Sequence, residues 1–434
     1  MATCLWLTPL GLALGLLAPA PSQEEALSRR TPPPGFQALF DGKGLQGWKG
    51  LVGNPLTRAA LAQDELAAAQ VEADRALQAH WRVEQGEIVN DGGGPHLCTS
   101  EAYQDFELWV DWKISPGADS GIYLRGSPQV QIWDPVNGID QARVGSGGLY
   151  NNAKNPSQPL AVADRPAGEW NTFFVRMIGE RVRVELNGVL VVNDVVMENY
   201  WDRARPIFPR GEIELQTHGG EIRFRHLYLR EIPAAEANAR LQGRDGDGFE
   251  PLFNGTDLSG WVGDREGYFA AGGALVCDPA KGGILFTESE FSDFALRFEF
   301  KLPPGGNNGL ALRAPLEGNP AYDGMEIQIL DDTAPQYANL QPYQFHGSIY
   351  GLVPAQRGYL RPVGEWNFEE VICRGSRVEV ALNGTVVVAA DLAAIEKPMD
   401  GRDHPGIKRR CGHIGFMGHG DRVEFCNIRV KRLD

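Results

Sequence analysis

Residues Ser120 to Asp134 read SGIYLRGSPQVQIWD, and the alternation within them decides the fold. Side chains alternate across a strand with period two. In GIYLR the apolar Ile122 and Leu124 therefore share one face, and Tyr123 and Arg125 share the other. In PQVQIWD the same rule turns Val130 and Ile132 toward a core and leaves Gln129, Gln131 and Trp133 in a row on the opposite surface. Amides, a guanidinium and an indole side by side suit a sugar, whose hydroxyls take hydrogen bonds and whose C–H faces stack on aromatic rings. The alternative is an ordinary solvated sheet face. Trp133 argues against it.

Working outward, the same landmarks occur twice in the same order. GFQALFDGKGLQGW from Gly35 returns as GFEPLFNGTDLSGW from Gly248, SGIYLR as NGLALR, QIWD as QILD, and both GEWN and LNG recur. The closing stretches THGGEIRFRHLYLREI and GHGDRVEFCNIRVKRL complete a tandem duplication. The expected domains are 35–232 and 248–434, with linkers at 23–34 and 233–247. Short runs rich in β-branched and aromatic residues, bounded by Gly, Asn and Pro, predict an all-β chain of two sandwiches. One stretch departs from this, the Ala-, Leu- and Glu-rich segment about 55–81, which predicts a helical insertion in the first copy only. It either walls one end of a cleft or is a packing ornament.

The 434 residues and 43% hydrophobic content allow sizeable cores. A net charge of −15 and a pI near 5.1 exclude nucleic acid and anionic membrane surfaces as partners, since those need clustered Lys and Arg. Residues 1–22 read as a signal peptide, with an apolar run before Ala18-Pro19-Ala20, and predict an exported, periplasmic or secreted protein with no membrane association after its removal. The alternative is a retained anchor. Cys98, Cys277, Cys373, Cys411 and Cys426 are an odd set beyond Cys4, so buried thiols are expected, with one pair within Cys373, Cys411 and Cys426 open in an oxidising compartment.

Ionisable groups recur near strand ends. In GEIELQTHG, Ile213 and Leu215 alternate with Glu212, Glu214, Gln216 and His218; in GHIGFMGHG, His413, Met417 and His419 take the corresponding face. Only His218 and His419 match, and an imidazole there could move a proton near neutral pH or serve structure alone. The second copy carries Glu326, Gln328 and Asp331 where the first has Gln129, Gln131 and Asp134. An acid opposite an amide means the two sites cannot share one acid/base assignment. Tyr150, Asn151 and Asn152, and His346 and Tyr350, fall in Gly-rich stretches that suit a sheet rim. GEWN reads as structural, with Trp170 and Trp366 in the core. No P-loop, GxGxxG, HExxH or GxSxG is present.

LFDGKGLQGW, DSGIYLRGSPQVQIWD, GSGGLYNN, GEWN and LQTHG, with LFNGTDLSGW, EIQILDD, GSIYG, GEWN and GHIGFMGHG, resemble the 3-keto-disaccharide hydrolase family, also described as 3-keto-glucoside 1,2-lyases and 3-keto-2-hydroxy-glucal hydratases. The resemblance implies a concanavalin A-like, laminarinase-like jelly roll in each copy, with an oxidised (3-keto) glycoside or other carbohydrate on the concave face. It implies β-elimination across C1–C2, made feasible by the C3 ketone, followed by hydration of the 2-hydroxy-glucal. On that basis Arg125 would bind the oxyanion, His218 or Asp134 would transfer the proton, and Tyr123, Gln129, Gln131, Trp133, Tyr150, Asn151, Asn152 and Gln216 would hold the sugar. In the second copy Arg313, Glu326, Asp331 and His419 would be catalytic, and Gln328, His346 and Tyr350 would bind. A divalent metal could assist enolisation, though no ligand set is readable. Two rivals stay open: a non-catalytic protein with two lectin-like jelly rolls, and a conventional glycosidase acting on unoxidised glycans.

Overall fold

A computed structural model describes residues 31–244, 246 and 248–433. The signal-peptide reading of 1–22 and most of the linker at 23–34 lie outside the described residues. The chain divides into two compact units, one ending at Pro233 and the other beginning at Ala234. Each unit packs an eight-stranded sheet on a five-stranded one, with every recorded strand pair antiparallel. Among the described residues no helix is long and apolar enough to cross a membrane.

In the first unit the five-stranded sheet runs in the order Trp48–Gly50, Leu97–Thr99, Glu214–Leu215, Asp119–Leu124, Ser127–Trp133. In the second it runs Trp261–Gly263, Gly283–Phe291, Gly412–Gly418, Asn307–Ala314, Met325–Leu330. The inner faces follow the predicted alternation. Ile122, Leu124, Val130 and Ile132 are fully buried against Trp112, Phe173 and Phe224 of the opposing sheet. Leu310, Ile327 and Phe416 do the same with Phe298 and Phe425, the Phe416 and Phe425 rings stacking at 3.9 Å. At roughly 1.5–3 kcal/mol for each large apolar side chain removed from water, these inter-sheet layers drive each sandwich together.

GEWN and LNG turn out to be two halves of one device. Asn187 of LNG donates from Nδ2 to Asn171 Oδ1 of GEWN at 2.8 Å and accepts the Thr172 N–H at 2.9 Å. Asn383 and Asn367 repeat the arrangement at 2.9 Å. Asn187 and Asn383 have φ near +50°, the first position of two-residue hairpin turns completed by Gly188 and Gly384. The tryptophans are not core residues as expected. Trp170 is half-buried, with Arg225 3.9 Å and Lys113 4.6 Å over its ring, and Trp366 takes Lys301 at 4.8 Å.

The insertion forms helices Pro55–Ala59 and Gln63–His80. Asn54 caps the first by accepting the Leu56 and Thr57 N–H groups. The second lies on the edge strand Trp48–Gly50: Asp74 accepts the Gly50 N–H at 2.8 Å and Gln70 donates to its carbonyl. A Cβ at residue 50 would collide with the Ala73 carbonyl, which is why glycine stands there. The insertion thus covers an otherwise open sheet edge.

Two further sequence expectations require correction. The stretch 233–247, read as a linker, contains helix Ala234–Gln242, because Ala237 and Leu241 form a buried stripe and Glu236–Arg240 an i,i+4 pair at 2.9 Å. Its Asn238 is buried between Glu299 and Arg361 of the second unit. No pair forms within Cys373, Cys411 and Cys426, since Cys373 and Cys411 are free thiols.

Candidate functional site

The outer face of each five-stranded sheet carries the polar residues. In the first unit a continuous chain of side chains crosses it: Gln129 Nε2 donates to Gln131 Oε1, Gln131 Nε2 donates to Asp119 Oδ1 at 2.7 Å, and Asp119 Oδ2 lies 3.4 Å from His218 Nδ1. Gln129 and Gln131 are almost fully buried, while His218 is 64% exposed. Asp119, absent from the sequence-based candidates, joins them. Burial raises its pKa, against the pull of His218 and the Gln131 amide.

A second row runs beside the first. Glu214 pairs across the ladder with Tyr123 on one side and Cys98 on the other. Both of its carboxyl oxygens are buried without a hydrogen-bond partner, and burial pushes it up to about 8 despite the nearby Arg58. Gln216 Nε2 lies 3.5 Å from the Tyr123 hydroxyl, and His96 meets the Tyr123 ring edge-on at 5.3 Å. Burial and the nearby His218 hold His96 down at about 4, so it is neutral, with Nδ1 accepting the Thr217 N–H. Glu214 and His96 were both missed. For Glu214 the signal was present, since alternation with Ile213 and Leu215 sets it on the face of Gln216.

Trp133 spends its indole N–H on the Gly145 carbonyl at 2.7 Å and meets Tyr150 edge-on at 5.2 Å. These two rings and Gln131 border a cavity of about 150 Å³. Asn151 and Asn152 do not join the face. Asn152 bonds the Pro156 and Val196 carbonyls and the Glu198 N–H, and the Asn151 carbonyl accepts from Arg203. Both build the loop that Glu198 gathers through three backbone N–H groups, which help hold its carboxyl down at about 2.

The second unit encloses a larger cavity, about 320 Å³, bordered by Glu326, Gln328, Tyr350, Tyr322, Arg402 and His419. Burial alone pushes Glu326 up to about 8. Burial also lowers His419, with Asp421 opposing. Gln328 donates to Asn307 at 2.7 Å, the position Asp119 holds in the first unit. Arg402 donates to the Tyr322 hydroxyl at 2.6 Å, and Gln344 to that of Tyr350 at 3.2 Å. Arg402 and Tyr322 lie outside the duplicated motifs, so nothing in the repeat pointed to them.

The two faces exchange their acids. Where the first unit has Glu214, Tyr123, Gln216 and Cys98, the second has Gly415, Ala311, Met417 and Phe286, and these pack under helix Pro320–Asp323 through Ala321. Where the second has Glu326, the first has Gln129. Each face keeps one buried carboxyl near pKa 8, on different strands.

Five more expected site residues lie elsewhere, besides Asn151 and Asn152. Arg125 (φ +52°) and Gly126 (φ +71°) form a hairpin turn, so the alternation ends there; Arg125 is buried against Asp105 at 3.1 Å and does not face the sugar row. Arg313 (φ +49°) sits at a register shift and is buried against Asp293 at 3.0 Å. Asp134 spends its oxygens on the Gly117, Val136 and Asn137 N–H groups and the Asn137 amide, which hold it below the usual carboxylate range against its burial. Asp331 likewise accepts from Gly305 and Thr333. His346 points into the inter-sheet core, with Nδ1 accepting the Leu330 N–H and Nε2 3.4 Å from the buried Glu369. Among the described residues no three His, Cys, Asp or Glu side chains come together as a metal site.

The model of the 3-keto-alpha-glucoside-1,2-lyase-like domain matches this chain twice, over residues 35–230 and 248–431. The chain belongs to that family. Each match to the lyase-like domain spans one of the two faces described. A 3-keto-disaccharide hydrolase from Bacteroides thetaiotaomicron is 28% identical over 250 residues, covering 48% of this chain and 86% of the relative. Among solved structures, a proposed glycosyl hydrolase from Parabacteroides distasonis is 30% identical over 43% of this chain and all of its own, with a TM-score of 0.40. A carbohydrate-binding module from Bacillus subtilis shares 14% identity over 40% of this chain and 96% of its own, with a TM-score of 0.28.

Proposed function

We propose that this protein cleaves 3-keto-glycosides in two steps, elimination in the first domain and hydration of the 2-hydroxy-glucal in the second. The observation that carries the reading is the pair Glu326 and His419 in one cavity, one pushed up to about 8 and the other lowered. At pH 7 the cavity thus holds a neutral acid and a neutral base together. Hydration of an enol needs both. The Glu326 carboxyl delivers a proton to C2, while His419 takes one from the water that attacks C1, and the C–O and C–H bonds form as the double bond is lost. Arg402 and Tyr322 face the C3 oxygen as donors.

The first domain has no acid at the Glu326 position. Its proton-transfer group is His218 oriented by Asp119: the imidazole removes the C2 hydrogen made acidic by the ketone, the C1–O bond to the aglycone breaks as the C1–C2 double bond forms, and the imidazolium returns that proton to the departing aglycone oxygen. The amides Gln129 and Gln131 line the sugar row. In this scheme the oxyanion partner is an amide, the role expected of Arg125 having fallen away.

The test is a time course on a 3-keto-glucoside, following aglycone release and enone absorbance in the Glu326→Gln chain. Accumulating enone with undiminished aglycone release is expected. Complete hydrolysis at the unaltered rate would refute the division of steps.

A further inference from the structure

We infer that the 150 Å³ cavity beside Gln131 is a subsite for an aromatic aglycone, so that the first domain acts on aryl glycosides; this rests on the elimination reading above. Its size is the first argument, because a cavity of about 150 Å³ has the volume to accommodate one benzene ring. The composition of the walls is the second. Trp133, Tyr150, Val144 and Pro159 are apolar or aromatic. Two of the polar wall groups are engaged within the protein, the Trp133 N–H with Gly145 and Gln131 Nε2 with Asp119 and the carbonyls of Ser120 and Ile132, while Gln141, Ser157 and Gln158 complete the lining. The edge-on Trp133 and Tyr150 rings leave a face for a third ring to complete the cluster.

The surroundings point the same way. Val136, Ile139, Leu160 and Val162 are 57–77% exposed on the two chain segments that supply the cavity walls. Val162 lies against Gly145 of the wall, an exposed apolar side chain beside the cavity. The second domain has Leu330 in place of Trp133, so the cavity bordered by Gln328, Leu330 and Tyr350 lacks the indole wall. That suits the order of reactions, since the aglycone is present only before elimination. Gln131 belongs both to the cavity and to the sugar row, so a ring in the slot is contiguous with a sugar on the face.

Calorimetric titration of the full chain with phenyl glucosides of both anomers, against the methyl glucosides, tests the inference without turnover. One phenyl glucoside should bind about tenfold more tightly than its methyl counterpart. Val144→Phe, which fills the cavity, should abolish that preference, and Val162→Ser, at an exposed position, should lower it. Equal affinities, no binding of either at millimolar concentration, or a preference intact in Val144→Phe would each overturn the subsite. Turnover of 3-keto glycosides, measured separately, tests the elimination reading: a phenyl preference without any turnover removes the reaction and keeps the slot, and turnover without the preference does the reverse.

Discussion

The carboxyl of Glu326 lies across Gly309 on the neighbouring strand, in space that a Cβ at residue 309 would occupy. The first domain uses Gly121 in the same way, to seat the Gln129 amide. Because the atom displaced is the end of a flexible side chain, Gly309→Ala should lower stability by about 1 kcal/mol or less. Hydration should nevertheless fall by roughly 10²-fold, since the acid is moved off its target. Comparing thermal unfolding with enone consumption checks both halves.

Glu214 and Glu326 should make the protein less stable as pH rises. Each is protonated in the folded state up to about pH 8 but ionises near 4.5 when unfolded. Their stabilising contribution is fully present below the unfolded value and is lost between about 4.5 and 8, at up to about 1.4 kcal/mol per pH unit per group. Glu326→Gln should therefore unfold at a higher Tm than the unaltered chain at pH 8, with the gap closing toward pH 5. A gap that widens toward pH 5 would contradict the burial of this acid.

Hydration should follow a bell in pH. It should fail on the acid side as His419 protonates, below the ordinary histidine value, and on the alkaline side as Glu326 ionises near 8. His419→Ala should lower hydration by about 10²- to 10⁴-fold while aglycone release persists. Rates of the two steps as a function of pH read this directly.

Aglycone release should depend on the other dyad. His218→Ala and Asp119→Asn are each expected to slow it by about 10²-fold or more, with the double variant no worse than the poorer single one, because the two act as a unit. Unchanged release in both single variants would remove the dyad from the reaction.

Arg125→Met should act on folding and not on chemistry. It leaves Asp105 buried without its guanidinium, a change that costs on the order of 3–5 kcal/mol. Urea unfolding of the first domain should register the loss, and any remaining folded protein should keep its KM.

The sandwich architecture was legible because the inward residues of the site strands, Ile122, Leu124, Val130 and Ile132, obey period two without interruption. The site was legible only where that rule held. It placed Gln129, Gln131 and Gln216 on one face but failed at Arg125, where two successive positive φ angles turn the chain. Asp134 and Asp331 looked like free acids because sequence does not show the backbone N–H groups that bind them. Asp119 opens the strand of Tyr123 and shares its face by the same alternation, one residue before the stretch that was read, whereas His96 and Arg402 come from segments outside the strands that drew attention, and only folding brings them to the faces. Helix Ala234–Gln242 was hidden by its polar composition, its apolar stripe being only two residues wide.

That helix decides where the duplicated halves can be separated. Severing the polypeptide at Gly248, the start of the matched repeat, would strip Asn238 from Glu299 and Arg361 and expose the groove that holds Leu241. A scission after Pro233 leaves these contacts whole. Anyone testing the proposed division of steps on isolated halves must therefore give the nine-residue helix to the C-terminal piece.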